Sequence, residues 1–400
     1  MEKLFYEDQY IKEFVADIKD IKEKEGKYHV SLNRTAFFPG GGGQQCDTGL
    51  IGDIEVSEVY EENGVIYHVL DKMPVKTHEV HCKLNWERRK DGMDQHFAQH
   101  VLSGCFFNTY NANTLGIHIG DDYSTVDIQG VLTEEQISHV EKLANEAIYR
   151  ELKVEFLFPD EDELQNIDLR RAKPNTDEKI RVVKIEDLDI NACCGIHPSN
   201  TRELRLIKIL KFEKYKGNTR IEYIAGERAV KDCIKKDFIL SNICRELSCN
   251  VDEVYSNIIK LEEKYQQSCE ENKQLNNTLM EYEIKEFIKE ADIIGNTKLI
   301  VRSMENYDVK KANKLIEKIV EHHGVVAVLG ISSYDTCNLI MASSKDVNNI
   351  SMSHVLKESI KLIDGRGGGK DHLAQGAGKN PENIKAALNL AENIIKKSFI

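Results

Sequence analysis

Four hundred residues, 41% hydrophobic and 30% charged, describe a globular protein of two to four domains with ample chain for a core. No apolar run is long enough to span a bilayer, and the acidic opening MEKLFYEDQYIKEF lacks the basic and apolar regions of a signal peptide, so no membrane and a cytoplasmic location are expected. A net charge of −13 excludes a general nucleic-acid binder, though not one with segregated basic residues, and ten scattered cysteines without an export signal read as reduced thiols.

Residues 1–85 alternate apolar and polar positions, as in KYHVSL, VIYHVL and HEVHCKL, which predicts a small β-rich domain closed as a barrel. Within it, TAFFPGGGGQQCDTG at 35–49 carries four consecutive glycines. Such a run costs backbone entropy and reads as a functional loop, in which the N–H groups of Gly41, Gly42 and Gly43 approach a ligand. The ending of a phosphate-binding P-loop is absent, and Gln44 follows with an amide able to hold a water or a carbonyl.

An α+β domain is expected from 86 to 225. WERRKDGMDQHFAQHVLSGCFF is helical by its apolar spacing, and TEEQISHVEKLANEAIYREL opens with Thr133 as a cap. His96 and His100 stand four apart, on one helix face and close enough to share a metal. The glutamate that a zinc peptidase places after the first histidine is Phe97 here, which excludes that chemistry. In DINACCGIHPSNTREL, Cys193 and His197 are separated by three residues, with Gly195 expected to turn the chain so that both converge. Three imidazoles and a thiolate suit one tetrahedral Zn2+ per chain, with Cys194 as the alternative thiolate.

Charge is sorted along the rest of the chain: 201–220 is basic and 251–290 acidic. The segment 226–290 is helical. Its heptad register from 251 to 282, with Val251, Ile258, Tyr265, Asn272 and Leu279 at one core position, proposes a coiled coil that pairs two chains. From 291 to 400, strands and helices alternate in an α/β domain, interrupted by GRGGGKDHLAQGAG. There, Arg366, Gly367, Gly368, Gly369 and Lys370 combine close backbone approach with positive charge, suited to phosphates. The fold class expected is therefore α+β multidomain: barrel, zinc-containing domain, long helix and C-terminal α/β domain.

TAFFPGGGGQ, RRKDGMDQHFAQH and CCGIH, in this order, resemble the editing domain of alanyl-tRNA synthetase and its free-standing AlaX-type relatives. The glycine-rich C-terminal stretch behind a helical segment resembles the DHH-associated domain that ends those synthetases. Three departures stand out: Phe38 replaces a tyrosine, Cys194 and Ile196 replace Gly and Thr between the ligands, and Arg202 replaces a glycine.

The resemblance implies a trans-editing hydrolase, an aminoacyl-tRNA deacylase that clears Ser-tRNA(Ala), and Gly-tRNA(Ala) with it, from mischarged tRNA(Ala) without charging tRNA itself. It implies zinc held by His96, His100, Cys193 and His197, and a tRNA-gripping C-terminal domain. Thr35 matches the family threonine that senses the serine hydroxyl, and Thr35 and Gln44 orient water and oxyanion. A homodimer through the 251–282 helix or the C-terminal region is expected. The alternative is a non-catalytic, zinc-stabilised tRNA-binding module.

Overall fold

The computed structural model describes residues 1–173 and 179–399. The chain divides into two compact units, 1–251 and 252–400. The division falls inside the segment 226–290, which the sequence groups as one helical piece.

The first unit opens with a seven-stranded antiparallel sheet. Its strands are β1 (Glu13–Ala16), β2 (Ile18–Lys24), β3 (Lys27–Leu32), β4 (Gly49–Ile51), β5 (Ile54–Glu62), β6 (Val65–Leu70) and β7 (Val80–Leu84). Their spatial order is β1-β7-β4-β5-β6-β3-β2. The expected barrel is not closed. Its two edge strands, β1 and β2, are consecutive in the chain and joined by Asp17 alone. A one-residue link cannot make a hairpin, so these edges cannot ladder with each other. A corner at Asp17 takes the ladder's place. The Asp17 backbone N–H donates to Asn33 Oδ1 at 2.8 Å and its carbonyl accepts from Asn33 N at 2.9 Å.

Helix α1 (Trp86–Tyr110) follows. Asn85 caps it, its side chain accepting from Arg88 N at 3.2 Å, and Asn111 ends it at a left-handed φ of 53°. The helix serves two cores. Met93 packs with Phe37, Phe38, Val56 and Ile66 of the sheet, while Phe97, Val101, Leu102 and Phe106 enter the core beyond. It is buried on every side from Met93 to Phe106, which explains why its apolar residues keep to no single stripe. Each of those large side chains contributes roughly 2 kcal/mol by leaving water.

That second core lies under a four-stranded sheet. Strands β8 (Thr114–Ile119), β9 (Ser124–Ile128), β13 (Ile207–Tyr215) and β14 (Asn218–Ala225) run in the order β8-β9-β14-β13. Helix α2 (Glu134–Tyr149) packs beside α1, started by a capping box between Thr133 and Gln136. A three-stranded antiparallel sheet, β10 (Val154–Leu157), β11 (Val182–Ile185) and β12 (Asp189–Ala192), delivers the chain to Cys193. Helix α3 (Gly226–Leu247) closes the unit.

In the second unit, helix α4 (Val254–Lys289) runs 36 residues. A six-stranded mixed sheet follows, built from β15 (Asp292–Ile294), β16 (Thr297–Glu305), β17 (Val325–Ser332), β18 (Cys337–Ser343), β19 (Arg366–Lys370) and β20 (Leu373–Gly378). Its order is β15-β16-β17-β18-β20-β19, with only β16 and β17 parallel. Helix α5 (Val309–Ile319) and the end of α4 cover one face, and α6 (Met352–Ser359) and α7 (Ile384–Lys397) the other. No helix among the described residues is long and apolar enough to cross a membrane.

Candidate metal centre

Four side chains meet where α1 passes the segment after β12. The ligand atoms of His96, His100, Cys193 and His197 all lie within 4.8 Å of one another. Cys193 Sγ is 3.3 Å from His96 Nε2 and 3.6 Å from His197 Nε2. Tetrahedral bonds of about 2.3 Å to sulfur and 2.05 Å to nitrogen imply S···N edges of about 3.5 Å. The donor set and its spacing therefore fit a zinc ion.

Outer partners fix which nitrogen faces inward for His96 and His100, whereas His197 Nδ1 is buried without a hydrogen-bond partner among the described residues. Gln44 Oε1 accepts from the Ile196 N–H at 2.9 Å, which identifies that atom as the carbonyl oxygen. The same oxygen lies 3.3 Å from His96 Nδ1, so Nδ1 carries the proton and the Nε2 lone pair faces Cys193. His100 Nδ1 donates to Asp189 Oδ2 at 2.8 Å, and Arg170 Nε holds the other carboxylate oxygen at 2.6 Å. Burial opposes charge on His100, but the Cys193 thiolate and Asp189 raise its pKa to about 9. His197 is buried as deeply without a carboxylate partner and falls to about 3. Burial also opposes the Cys193 thiolate, yet the three imidazoles hold its pKa well below that of a free thiol. Burial likewise opposes charge on Asp189, but His100 and Arg170 keep it ionised below the usual carboxylate range.

The glycine run is a tight hairpin turn packed on this centre. Gly41 N and Gln44 O, and Gln44 N and Gly41 O, are each 3.0 Å apart, with Gly42 and Gly43 between them at φ 60° and 86°. Added Cβ atoms would come within 3.1 Å of Cys194 Sγ at Gly41 and 3.2 Å of His96 Cε1 at Gly42. These glycines are explained by close approach of the turn to the ligand loop. Gly195 follows the same logic, at the bend between the two ligands where the chain is expected to turn. It has no positive φ, and a Cβ there would fall 2.2 Å from His96 Cε1. The loop 35–49 is anchored by the buried pair Asp47–Arg89; Asp47 also accepts from Phe38 N at 2.6 Å.

A cavity of about 480 Å3 opens beside the centre. His96, His100, Cys193 and Gly42 line one side of it, and Arg170, Arg171, Lys179 and Arg181 contribute four cations to the rest. Thr35 and Gln44 are not among its lining residues. Thr35 is fully buried in the sheet domain, its hydroxyl 2.9 Å from His68 Nε2 and accepting from Phe37 N at 3.1 Å. Cys194 is exposed, and its carbonyl accepts from Tyr6 OH at 2.8 Å.

The C-terminal candidates lie in the second unit. Arg366 through Lys370 form the exposed edge strand β19, so the stretch continues the sheet instead of interrupting it. Cβ atoms at Gly367 and Gly369 would press on β20 backbone at 2.4 and 2.3 Å, so strand packing explains these two glycines, while Gly368 faces open space. The sequence reading did not find Asp189, Arg170, Arg181 or His68. Each is a single polar residue in or beside a strand, without a pattern to distinguish it.

Comparison with known proteins bears on the same regions. Residues 180–222 match the threonyl and alanyl tRNA synthetase second additional domain, and residues 296–397 the DHHA1 domain. An alanyl-tRNA editing protein AlaX-L from Pyrococcus horikoshii is 31% identical over 404 aligned residues, covering 96% of each chain. Alanine–tRNA ligases from Methanopyrus kandleri and Methanococcus maripaludis are each 29% identical, over 96% and 94% of this chain. The chain spans 43% and 42% of the length of those ligases.

Proposed function

This chain belongs to the AlaX-L family of alanyl-tRNA editing proteins, and from that premise we propose that it deacylates mischarged tRNA(Ala) in trans. The substrates are Ser-tRNA(Ala) and Gly-tRNA(Ala), and the bond broken is the aminoacyl ester. The observation that carries this reading is the convergence of His96, His100, Cys193 and His197 on a cavity rich in cations.

Those four residues would hold a zinc ion, which when bound supplies a fixed positive charge beside the ester and binds the turn after β12 to α1. The chain's own groups do the rest. Gln44 and Asp189 lock the tautomers of His96 and His100, so these two ligands need no rearrangement. Gly41 and Gly42 let the glycine turn close over the centre. The cations of the cavity favour the negative charge that develops on an ester oxygen during hydrolysis. An aminoacyl ester is activated, so positioning and electrostatics suffice without the glutamate base of a peptidase.

Four protein ligands fill a tetrahedral site, and this favours a second reading, zinc as structural support in a tRNA-binding module without catalysis. One assay separates the two. The protein is incubated with Ser-, Gly- and Ala-charged tRNA(Ala), with and without chelator. Release of serine and glycine but not alanine supports editing; binding without any release supports the module.

A further inference from the structure

Among the described residues, Arg181 is a buried cation without an acid. It is 8% exposed, and its Nη1 donates to the carbonyls of Cys193 at 3.1 Å and Gly195 at 2.8 Å. The guanidinium lies over the rings of Phe156 and Tyr6, at 4.5 and 5.0 Å from their centroids. Its Nε is buried without a hydrogen-bond partner. Arg170, its neighbour in the cavity wall, is neutralised by Asp189. Among the described residues, Arg171, Lys179 and Arg181 form no ion pair, and all three line the cavity.

Burying an arginine is costly unless a counter-charge is supplied. The one anionic ligand of the metal centre, Cys193, would be outweighed by a divalent ion held there. Among the described residues, the cavity wall therefore carries more cations than anions, which suits an anionic ligand. Under the editing reading, on which this inference rests, the reacting end of the substrate offers two charges. The α-amino group is a cation and is repelled. The phosphodiester that links the terminal nucleoside to the rest of the strand is the remaining anion. We infer that Arg171, Lys179 and Arg181 form a subsite for that phosphate, and so hold the terminal nucleotide with its ester toward the metal centre. The cavity volume lies in the range of sites that hold a small molecule. Arg171 and Lys179 are exposed, and long-range attraction from them would draw the strand in, whereas Arg181 is fixed by its two carbonyls and two rings.

The test uses the full zinc-loaded chain and needs no catalytic turnover. Binding of adenosine 5′-monophosphate, adenosine and inorganic phosphate is measured by equilibrium dialysis at two salt concentrations. The monophosphate should bind at least tenfold tighter than adenosine, weaken with salt, and lose that advantage in Arg171→Ala/Lys179→Ala. These two exposed positions leave the core intact, and retained zinc content checks the fold; Arg181→Met gives the same loss from the buried side. Equal binding of monophosphate and adenosine, no measurable binding of either, or an advantage that survives both variants overturns the subsite. Inorganic phosphate that binds as tightly as the monophosphate overturns recognition of a nucleotide. Deacylation of Ser-tRNA(Ala) is measured in parallel. Activity without a phosphate preference defeats only the subsite, whereas a phosphate preference without deacylation defeats only the editing reading.

Discussion

The carboxylate of Asp189 binds His100 Nδ1 at 2.8 Å with one oxygen and Arg170 Nε at 2.6 Å with the other. A metal-ligating histidine whose second nitrogen is held in this way is oriented and made more basic, and loss of such a partner lowers metal affinity about 10- to 100-fold. Asp189→Ala should therefore release zinc to a chromogenic chelator at correspondingly lower chelator concentration. Asp189→Asn, which keeps an acceptor, should lie between. Unchanged affinity in Asp189→Ala would show that the carboxylate serves only Arg170.

Adjacent cysteines give a clean contrast. Cys193 Sγ lies 3.3 Å from His96 Nε2, whereas Cys194 is exposed with its sulfur against the glycine turn. Cys193→Ser should lose stoichiometric zinc by atomic emission, and Cys194→Ser should keep it. The reverse result would make Cys194 the ligand.

Much of this centre was legible because its ligands come as two local pairs, four residues apart on a helix and four apart in a turn. The partners were not. In VIYHVL, His68 is flanked by Tyr67 and Val69, all three buried, so alternation identifies the strand but not that both of its faces are covered. The open sheet was hidden for a different reason, since whether β1 and β2 pair depends on the single link residue Asp17. GRGGGK falls outside the expected strands because glycine is depleted in strands, yet its pairing with β20 overrides that preference. In contrast, the long helix α4 was legible through its heptads, which need no tertiary context.

His68 predicts a pH dependence of stability. Burial lowers its pKa to about 4, against the Val30 carbonyl, which accepts from Nδ1 at 2.9 Å and raises it; in the neutral form Nε2 is left to accept from the Thr35 hydroxyl. A depressed folded-state pKa means that the unfolded chain binds the extra proton between about pH 6.5 and 4. The contribution of neutral His68 is present in full above pH 6.5 and is lost as pH falls toward 4. A shift of two to three pKa units is worth about 3 kcal/mol at 1.4 kcal/mol per unit. Unfolding free energies from urea titrations between pH 7 and 4 should fall by that order, with a shallower slope in His68→Gln. The same slope in both would remove His68 from the account.

The pair Asp47–Arg89 is buried at both ends and ties the loop that carries the glycine turn to α1. Removing one member strands the other charge, which costs about 3–5 kcal/mol. Arg89→Met should lower the urea midpoint accordingly and weaken zinc retention, because the turn then loses its seat on His96. A loss of stability with zinc affinity intact would separate the anchor from the centre.

Helix α4 carries the last prediction. Along it, Ile258, Leu261, Tyr265, Leu275, Leu279 and Tyr282 are between 45% and 70% exposed, whereas Met280 and Ile284 near its end pack under α5. Ile258, Tyr265 and Leu279 fall on the core position named above and Leu261, Leu275 and Tyr282 on the second core position three residues further along, so among the described residues the stripe is a seam without a partner in its own unit. A seam of this length, rich in Leu and Ile, associates in water because each side chain gains roughly 1.5–3 kcal/mol on full burial. The expected partner is the same helix of a second chain. Sedimentation equilibrium at micromolar concentration should give a dimer, and Leu261→Glu/Leu275→Glu a monomer. Both substituted positions are exposed, so the monomeric variant should retain its zinc and its circular dichroism. A native chain that sediments as a monomer throughout the accessible concentration range would rule out the seam as a dimer contact.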